Sequence, residues 1–342
     1  MEDHKKRSYL TGVILFCLLS GLMAAVIYKM DPDIFQVLKS LSLQALIFLA
    51  VINFVYQLFE ALINLVIFRR RIGDYSLKNA LDVVYLGIFA KVLTSSGGTL
   101  PMQSYYLHRK GLMVGSSIGL LSLQYILHKV FTLICASVFL LLNWSYIHQN
   151  LPAIYPYLLL AYGVCILVIV LVVLACVWKK AHDLLIRLLN RLPDTEKWAH
   201  RKDTWSRNVD ALYREAGLLL QNKQDLAAIC VLEILKLLSL YITTCFCSRI
   251  LGIRTLSCFR LAALTAVMFL ISNALPNISG MGSVEFSFFL IFSPVFGDLT
   301  LSVLLLYRAA TYYFPFFLSV IWFVCVERKW LKMRHRQPDP DT

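Results

Sequence analysis

Apolar positions along this chain come in long blocks instead of stripes or alternations. The stretches 8–28, 40–59 and 130–178 contain no Asp, Glu, Lys or Arg. A helix of about 20 apolar residues crosses a hydrocarbon core roughly 30 Å thick. The blocks therefore predict full spanning helices at 8–28, 40–68, 112–142, 154–178, 225–250 and 299–326. Two further apolar regions, 80–107 and 257–297, are each interrupted near the middle by glycine and proline. A backbone broken at membrane depth is tolerated only inside protein or beside a water-filled space. These two regions are expected to be re-entrant hairpins.

The basic residues give the expected orientation. With the N-terminus inside, 24 of the 33 lysines and arginines fall on the inner side and five on the outer side. Such a bias marks the cytoplasmic face. It holds only if 80–107 enters and leaves from the inside and 257–297 from the outside. The resulting order is helix, hairpin, helix, twice, in opposite orientation. The expected architecture is an all-α polytopic membrane protein with about six full spanning helices plus two re-entrant hairpins in two inverted repeats. It forms a single membrane domain over 1–342, with halves at about 40–142 and 225–326 and a cytoplasmic loop at 179–223. Matched broken segments in two halves point to a transporter binding site.

Composition narrows this picture. The chain has 342 residues, of which 59% are hydrophobic and 15% charged, with a net charge of +13. In a soluble domain that charge would suggest nucleic acid. Here the basic residues flank apolar helices, so topology and anionic lipid account for it, and no nucleic-acid partner is expected. The Lys5-Lys6-Arg7 flank precedes an apolar run longer than a cleaved signal, which reads as an uncleaved first helix. The nine cysteines lie in or beside apolar runs with no C-x-x-C pair. They read as small apolar fillers, with no disulfide framework and no metal site. In the loop, the stretch "AHDLLIRLLNRL" puts Leu184, Leu185, Leu188, Leu189 and Leu192 on one helical face. It suits either a helix lying in the cytoplasmic interface or one packed on the protein itself.

The candidate chemistry gathers at the hairpins. In "TSSGGTLPMQSYYLHRKG", 94–111, Gly97 and Gly98 free the backbone and Pro101 stops helix continuation. Thr94, Ser95, Ser96 and Gln103 offer polar groups suited to an anionic headgroup beside a helix N-terminus. His108, Arg109 and Lys110 sit at the mouth. In "SNALPNISGMGSVEF", 272–286, Pro276 ends one half-helix and Gly280 and Gly282 permit close approach. Asn273, Asn277 and Ser279 add polar groups. Ser283 reads as the N-cap of the returning half-helix, with Glu285 in its first turn, where the helix dipole favours a carboxylate.

Charges at span depth cost roughly 2.5–3.5 kcal/mol each at a helix centre. They are Glu60, Lys91, Lys129, Glu233, Lys236 and Arg308. Glu60 and Glu233 lie in the first full helix of each half, and Lys129 and Arg308 in the last. Two neutralising acid–base pairs lining a cavity would explain this symmetry. Lys236, one turn from Glu233, has a local partner in reach, and Glu285 and Arg308 are spaced to meet. His128 reads as structural. Tyr105, Tyr106, Tyr312 and Tyr313, which follow the hairpins, read as interfacial anchors or cavity walls. There is no Walker loop, no H-E-x-x-H and no G-x-S-x-G. Neither catalytic residues nor a cofactor are expected.

At "SSGGTLPMQSYYLHRKG", at "LPNISGMGSVEFSFF" and at "YRAATYYFPFF", 307–317, the chain resembles the transmembrane region of the lysyl-phosphatidylglycerol synthase family, also called the multiple peptide resistance factor family. The resemblance spans most of 10–330. It implies a flippase-like membrane domain, in some members joined to a cytosolic domain that transfers lysine from lysyl-tRNA to phosphatidylglycerol and protects bacteria against cationic peptides. The chain is expected to act without that domain, and it carries Asn277-Ile278-Ser279 where the family usually has a tighter proline-glycine-glycine turn. The expectation is a protein of the bacterial inner membrane, N- and C-termini cytoplasmic. It would bind or translocate a phospholipid, anionic or aminoacylated phosphatidylglycerol, with a separate synthase as a partner. The alternatives are a phosphatidylglycerol lysyltransferase and a small-solute or ion transporter.

Overall fold

The computed structural model describes residues 42–94, 97–177, 196–276 and 281–334. The expected spanning helix at 8–28, the leucine face at 184–192, and Ser95, Ser96, Asn277, Ser279 and Gly280 lie outside them. The described residues are helical throughout, in the order α1 (Leu43–Phe68), α2 (Leu77–Leu93), α3 (Thr99–Arg109), α4 (Val114–Leu142), α5 (Trp144–Asn150) and α6 (Tyr155–Val177). Then come α7 (Glu196–Gln221), α8 (Lys223–Tyr241), α9 (Thr243–Ile250), α10 (Cys258–Ala274), α11 (Ser283–Phe296), α12 (Thr300–Arg308) and α13 (Phe314–Arg334). A π-helical turn, Ala309–Tyr313, joins α12 to α13.

The helices start where side chains satisfy the free N–H groups of a first turn. Ser42 accepts from Ala45 N, Ser257 from Arg260 N and Asn222 from Asp225 N. Helix α1 shows how a spanning helix divides its surface. Leu49, Asn53, Gln57, Ala61, Asn64 and Phe68 form its buried stripe, while Leu46, Ile47, Phe48 and Val51 are exposed and apolar. An apolar outer face and a buried stripe that carries Asn53, Gln57 and Asn64 suit lipid on one side and protein on the other. The segments Leu43–Phe68, Val114–Leu142, Pro152–Leu171, Lys223–Ile250 and the run Ser283–Lys329 are long and apolar enough to cross a membrane. The protein is a multi-pass helical membrane protein. The predicted span 225–250 is broken at Ile242 into α8 and α9.

Both interrupted regions fold as helical hairpins. Helices α2 and α3 pack on each other, as do α10 and α11. Helix α1 packs on α8, α2 on α13 and α4 on α10. The polar segment after α6 contains a packed helix: α7 lies against α4, α6 and α8. Gly119 makes the α4–α7 contact possible, because a Cβ there would come within 3.0 Å of the Ala211 carbonyl carbon. Arg71 pairs with buried Glu215 of α7, while Arg69 and Arg70 hold Asp225 at the start of α8.

One expectation about cysteine is overturned. Cys245 and Cys258 form a disulfide. The tight turn between α9 and α10, with Gly252 at φ +75°, brings their Cα atoms to 5.2 Å, which suits a disulfide. Apolar surroundings hid this pairing in the sequence.

Candidate functional site

One buried cluster draws on residues of both hairpins. Val92, at the end of α2, packs in one buried cluster with Met281 from the second hairpin and with Tyr312 and Phe316, which follow Arg308. Each tip is shaped locally. Helix α2 ends at Thr94, whose hydroxyl donates to Ala90 O at 2.7 Å and accepts from Gly98 N. A Cβ on Gly98 would run into the Thr94 side chain, so the turn needs glycine there. Helix α10 ends at Ala274, and Leu275 is extended ahead of Pro276, as a residue before proline prefers to be. Ser272 Oγ donates to Ser283 Oγ at 3.0 Å, closing the neck of this hairpin.

Several predicted residues hold the hairpins together instead of facing outward. Thr94 is occupied by its own turn. Pro101 does not stop a helix: it lies in the first turn of α3, where its missing N–H costs little. Gln103 Nε2 donates to Val83 O at 3.1 Å and packs over Gly87, which bridges the first hairpin. Gly97 N–H is bonded to Thr94 O at 3.1 Å. The cap of α11 is Gly282, at φ +99°, not Ser283. Glu285 serves it from within the helix, accepting from Gly282 N at 2.6 Å. Three residues on, Glu285 reaches back over the first turn as a capping carboxylate does.

Charged side chains accompany the two hairpins. Arg308 pairs with Glu285 at 2.6 Å, so one carboxylate both caps α11 and neutralises the last residue of α12. The Arg308 guanidinium also lies over the Tyr312 ring, 4.6 Å from its centroid. The π-helical turn that begins beside Arg308 brings Tyr312 under it. Such turns recur at functional sites. Lys91, at the last turn of α2, is exposed and within electrostatic reach of Arg308. Lys129 of α4 is in turn within reach of Lys91; it donates to Asn273 Oδ1 of α10 and lies over the Tyr125 ring. Neither lysine has a carboxylate partner among the described residues. Lys91, Lys129 and Arg308 thus form a series of cations in which Glu285 pairs with Arg308.

The second cluster differs from its expected pairing. Lys129 and Arg308 do not neutralise Glu60 and Glu233. Lys236 takes both, donating to Glu60 Oε2 at 2.7 Å and to Glu233 Oε1 at 2.8 Å. The α1–α8 contact brings Glu60 to this lysine from 176 positions away. Gln124 Nε2 donates to Glu60 Oε1 at 2.8 Å, and His128 Nδ1 lies 3.1 Å from Glu233 Oε2. His128 therefore belongs to the cluster; with Gln124 it sits one turn apart on the same face of α4. Sequence reasoning also missed Asp82. This buried carboxylate of α2 accepts from the Tyr106 hydroxyl and from Trp322 Nε1, both at 2.7 Å, which fixes α3 and α13 to α2. Its signal was an acid inside an apolar stretch.

A chain that is helical across its described residues, with several segments long and apolar enough to cross a membrane, belongs among the polytopic membrane proteins. The family model for the lysylphosphatidylglycerol synthase TM region matches residues 9–319, and the chain belongs to that family. No curated protein and no solved structure matches it.

Proposed function

We propose that the protein moves a phospholipid between the two leaflets of the bacterial inner membrane, passing the headgroup across the meeting point of the hairpin tips. The observation that carries this reading is the joint placement of Val92, Met281, Tyr312 and Phe316 with the cations Lys91, Lys129 and Arg308. The barrier to unassisted lipid crossing is the desolvation of the polar headgroup. Cations at span depth lower it for a phosphate, while the acyl tails stay in lipid. The family name adds a relation to phosphatidylglycerol. In this reading both hairpins are re-entrant, from opposite faces, within inverted halves at about 40–142 and 225–326 of one domain. The packing pairs support it: an exchange of halves maps α1–α8 onto itself and α2–α13 onto α4–α10. Both termini are cytoplasmic in this arrangement, from the lysine and arginine bias. A disulfide at the α9–α10 corner suits an outer, oxidising face.

Proteoliposomes holding head-group-labelled phosphatidylglycerol, read by an external quencher, test the proposal. The wild-type protein is expected to equilibrate the label between leaflets, and Lys91→Ala with Lys129→Ala to slow it. A rate equal to that of protein-free vesicles would count against translocation.

A further inference from the structure

The cluster of Glu60, Lys236, Glu233 and His128 is held together by its own hydrogen bonds, and the reading above gives it no part in gripping a headgroup. It joins three helices: α1 supplies Glu60, α4 supplies His128, and α8 supplies Glu233 and Lys236. Its charge does not balance. Lys236 faces two carboxylates at hydrogen-bond distance, so with His128 neutral the cluster holds one surplus negative charge. With His128 protonated it is neutral. Charge at membrane depth is costly, and chains of Asp, Glu and His there commonly carry protons.

Access is graded along the cluster. The Glu60 and His128 side chains keep 27% and 26% of their surface, while those of Glu233 and Lys236 keep 0% and 1%. A buried ion pair is thus flanked by two ionisable groups that can be reached. The other titratable groups facing it are Tyr56 of α1, Cys135 of α4, and Cys230 and Tyr241 of α8. Helix α10, which packs on α4 and α8, brings no carboxylate: its Cys258 is in the disulfide and its Arg260 lies over Tyr146.

We propose that this cluster is a proton-binding site that holds one exchangeable proton on His128, hydrogen-bonded to Glu233. On uptake, a proton from water adds to the free imidazole nitrogen of His128, and the imidazolium N–H donates to Glu233 Oε2. Release breaks the N–H bond formed at that free nitrogen and returns the proton to water; nothing else is consumed. His128 is followed on α4 by Lys129, which holds Asn273 of the second hairpin, so the charge at His128 has a short mechanical route to the hairpin. The proton site stands on its own geometry; its coupling to lipid movement rests on the reading above.

Infrared-detected titration of the whole protein in nanodiscs, between roughly pH 5 and 8 where imidazole ordinarily titrates, measures the site itself. The wild type is expected to take up one proton per chain that His128→Gln loses and that His148→Gln, in the loop helix α5, retains. Glu60→Gln removes the surplus charge, leaves the Lys236–Glu233 pair, and is expected to lose the same proton. It keeps the test open if His128→Gln does not fold. Titration of both cluster variants like the wild type would overturn the site. In proteoliposomes, an imposed pH gradient is expected to change the wild-type translocation rate and to leave His128→Gln unaffected. Wild-type translocation indifferent to the gradient would overturn the coupling. A titrating proton in a protein that moves no lipid would overturn the lipid reading and support the proton site.

Discussion

Replacing Lys236 by Met leaves Glu60 and Glu233 facing each other with no cation between them. The side chains are similar in volume, so the loss is electrostatic. Two charge-assisted hydrogen bonds, of 2.7 and 2.8 Å, disappear, each of a kind worth about 1.5–3 kcal/mol. The protein's escape is to protonate one glutamate. Against an ordinary glutamate pKa of about 4.3, holding that proton at pH 7 costs about 3.7 kcal/mol. That agrees with the ~3–5 kcal/mol measured when one partner of a buried pair is removed. Unfolding in bicelles, monitored by helicity, is the assay. Glu60→Gln and Glu233→Gln combined with Lys236→Met remove all three charges, and this triple variant is expected to recover most of the loss, because whole buried ion networks are often replaceable without penalty. The sign with pH follows. In Lys236→Met the folded state holds a proton that the unfolded chain lacks at pH 7, so stability falls as pH rises and the deficit shrinks toward about pH 4. A Lys236→Met variant within about 0.5 kcal/mol of wild type, the usual span of surface changes, would refute the pairing.

Gly119→Leu forces a side chain into the Ala211 backbone and is expected to cost about 1–3 kcal/mol by overpacking, read in the same unfolding assay; an unchanged midpoint would mean that α7 does not press on α4. Cys245 and Cys258 are expected to react with a membrane-impermeant maleimide in unfolded protein only after reduction, and labelling without reductant would contradict the disulfide.

The spanning helices were legible because blocks of apolar residues have few structural alternatives. Both hairpins were legible because glycine and proline interrupt such blocks for few other reasons. The approach of Glu285 to Arg308 was legible as well, since it needs only a hairpin and the helix after it. What sequence did not reveal is mostly long-range. Glu60 and Lys236 meet through an α1–α8 contact that no periodicity encodes, and their meeting leaves Lys129 to Asn273. Thr94 and Gln103 looked like ligands because their polarity is visible in sequence and their partners, Gly98 N–H and Val83 C=O, are not. Cys245 and Cys258 are brought together by a turn whose geometry depends on Gly252. In each case the residue type was informative and the partner was set by packing.

The central claim is that a broken backbone at membrane depth gives a headgroup a polar route. Replacing Pro276 to Gly282 with seven leucines removes the break, while Glu285, Arg308 and the lysines remain. Translocation of head-group-labelled phosphatidylglycerol in proteoliposomes holding this variant, inserted and folded, measures the claim directly. The account predicts that movement falls to the rate of protein-free vesicles; movement at the wild-type rate would contradict it.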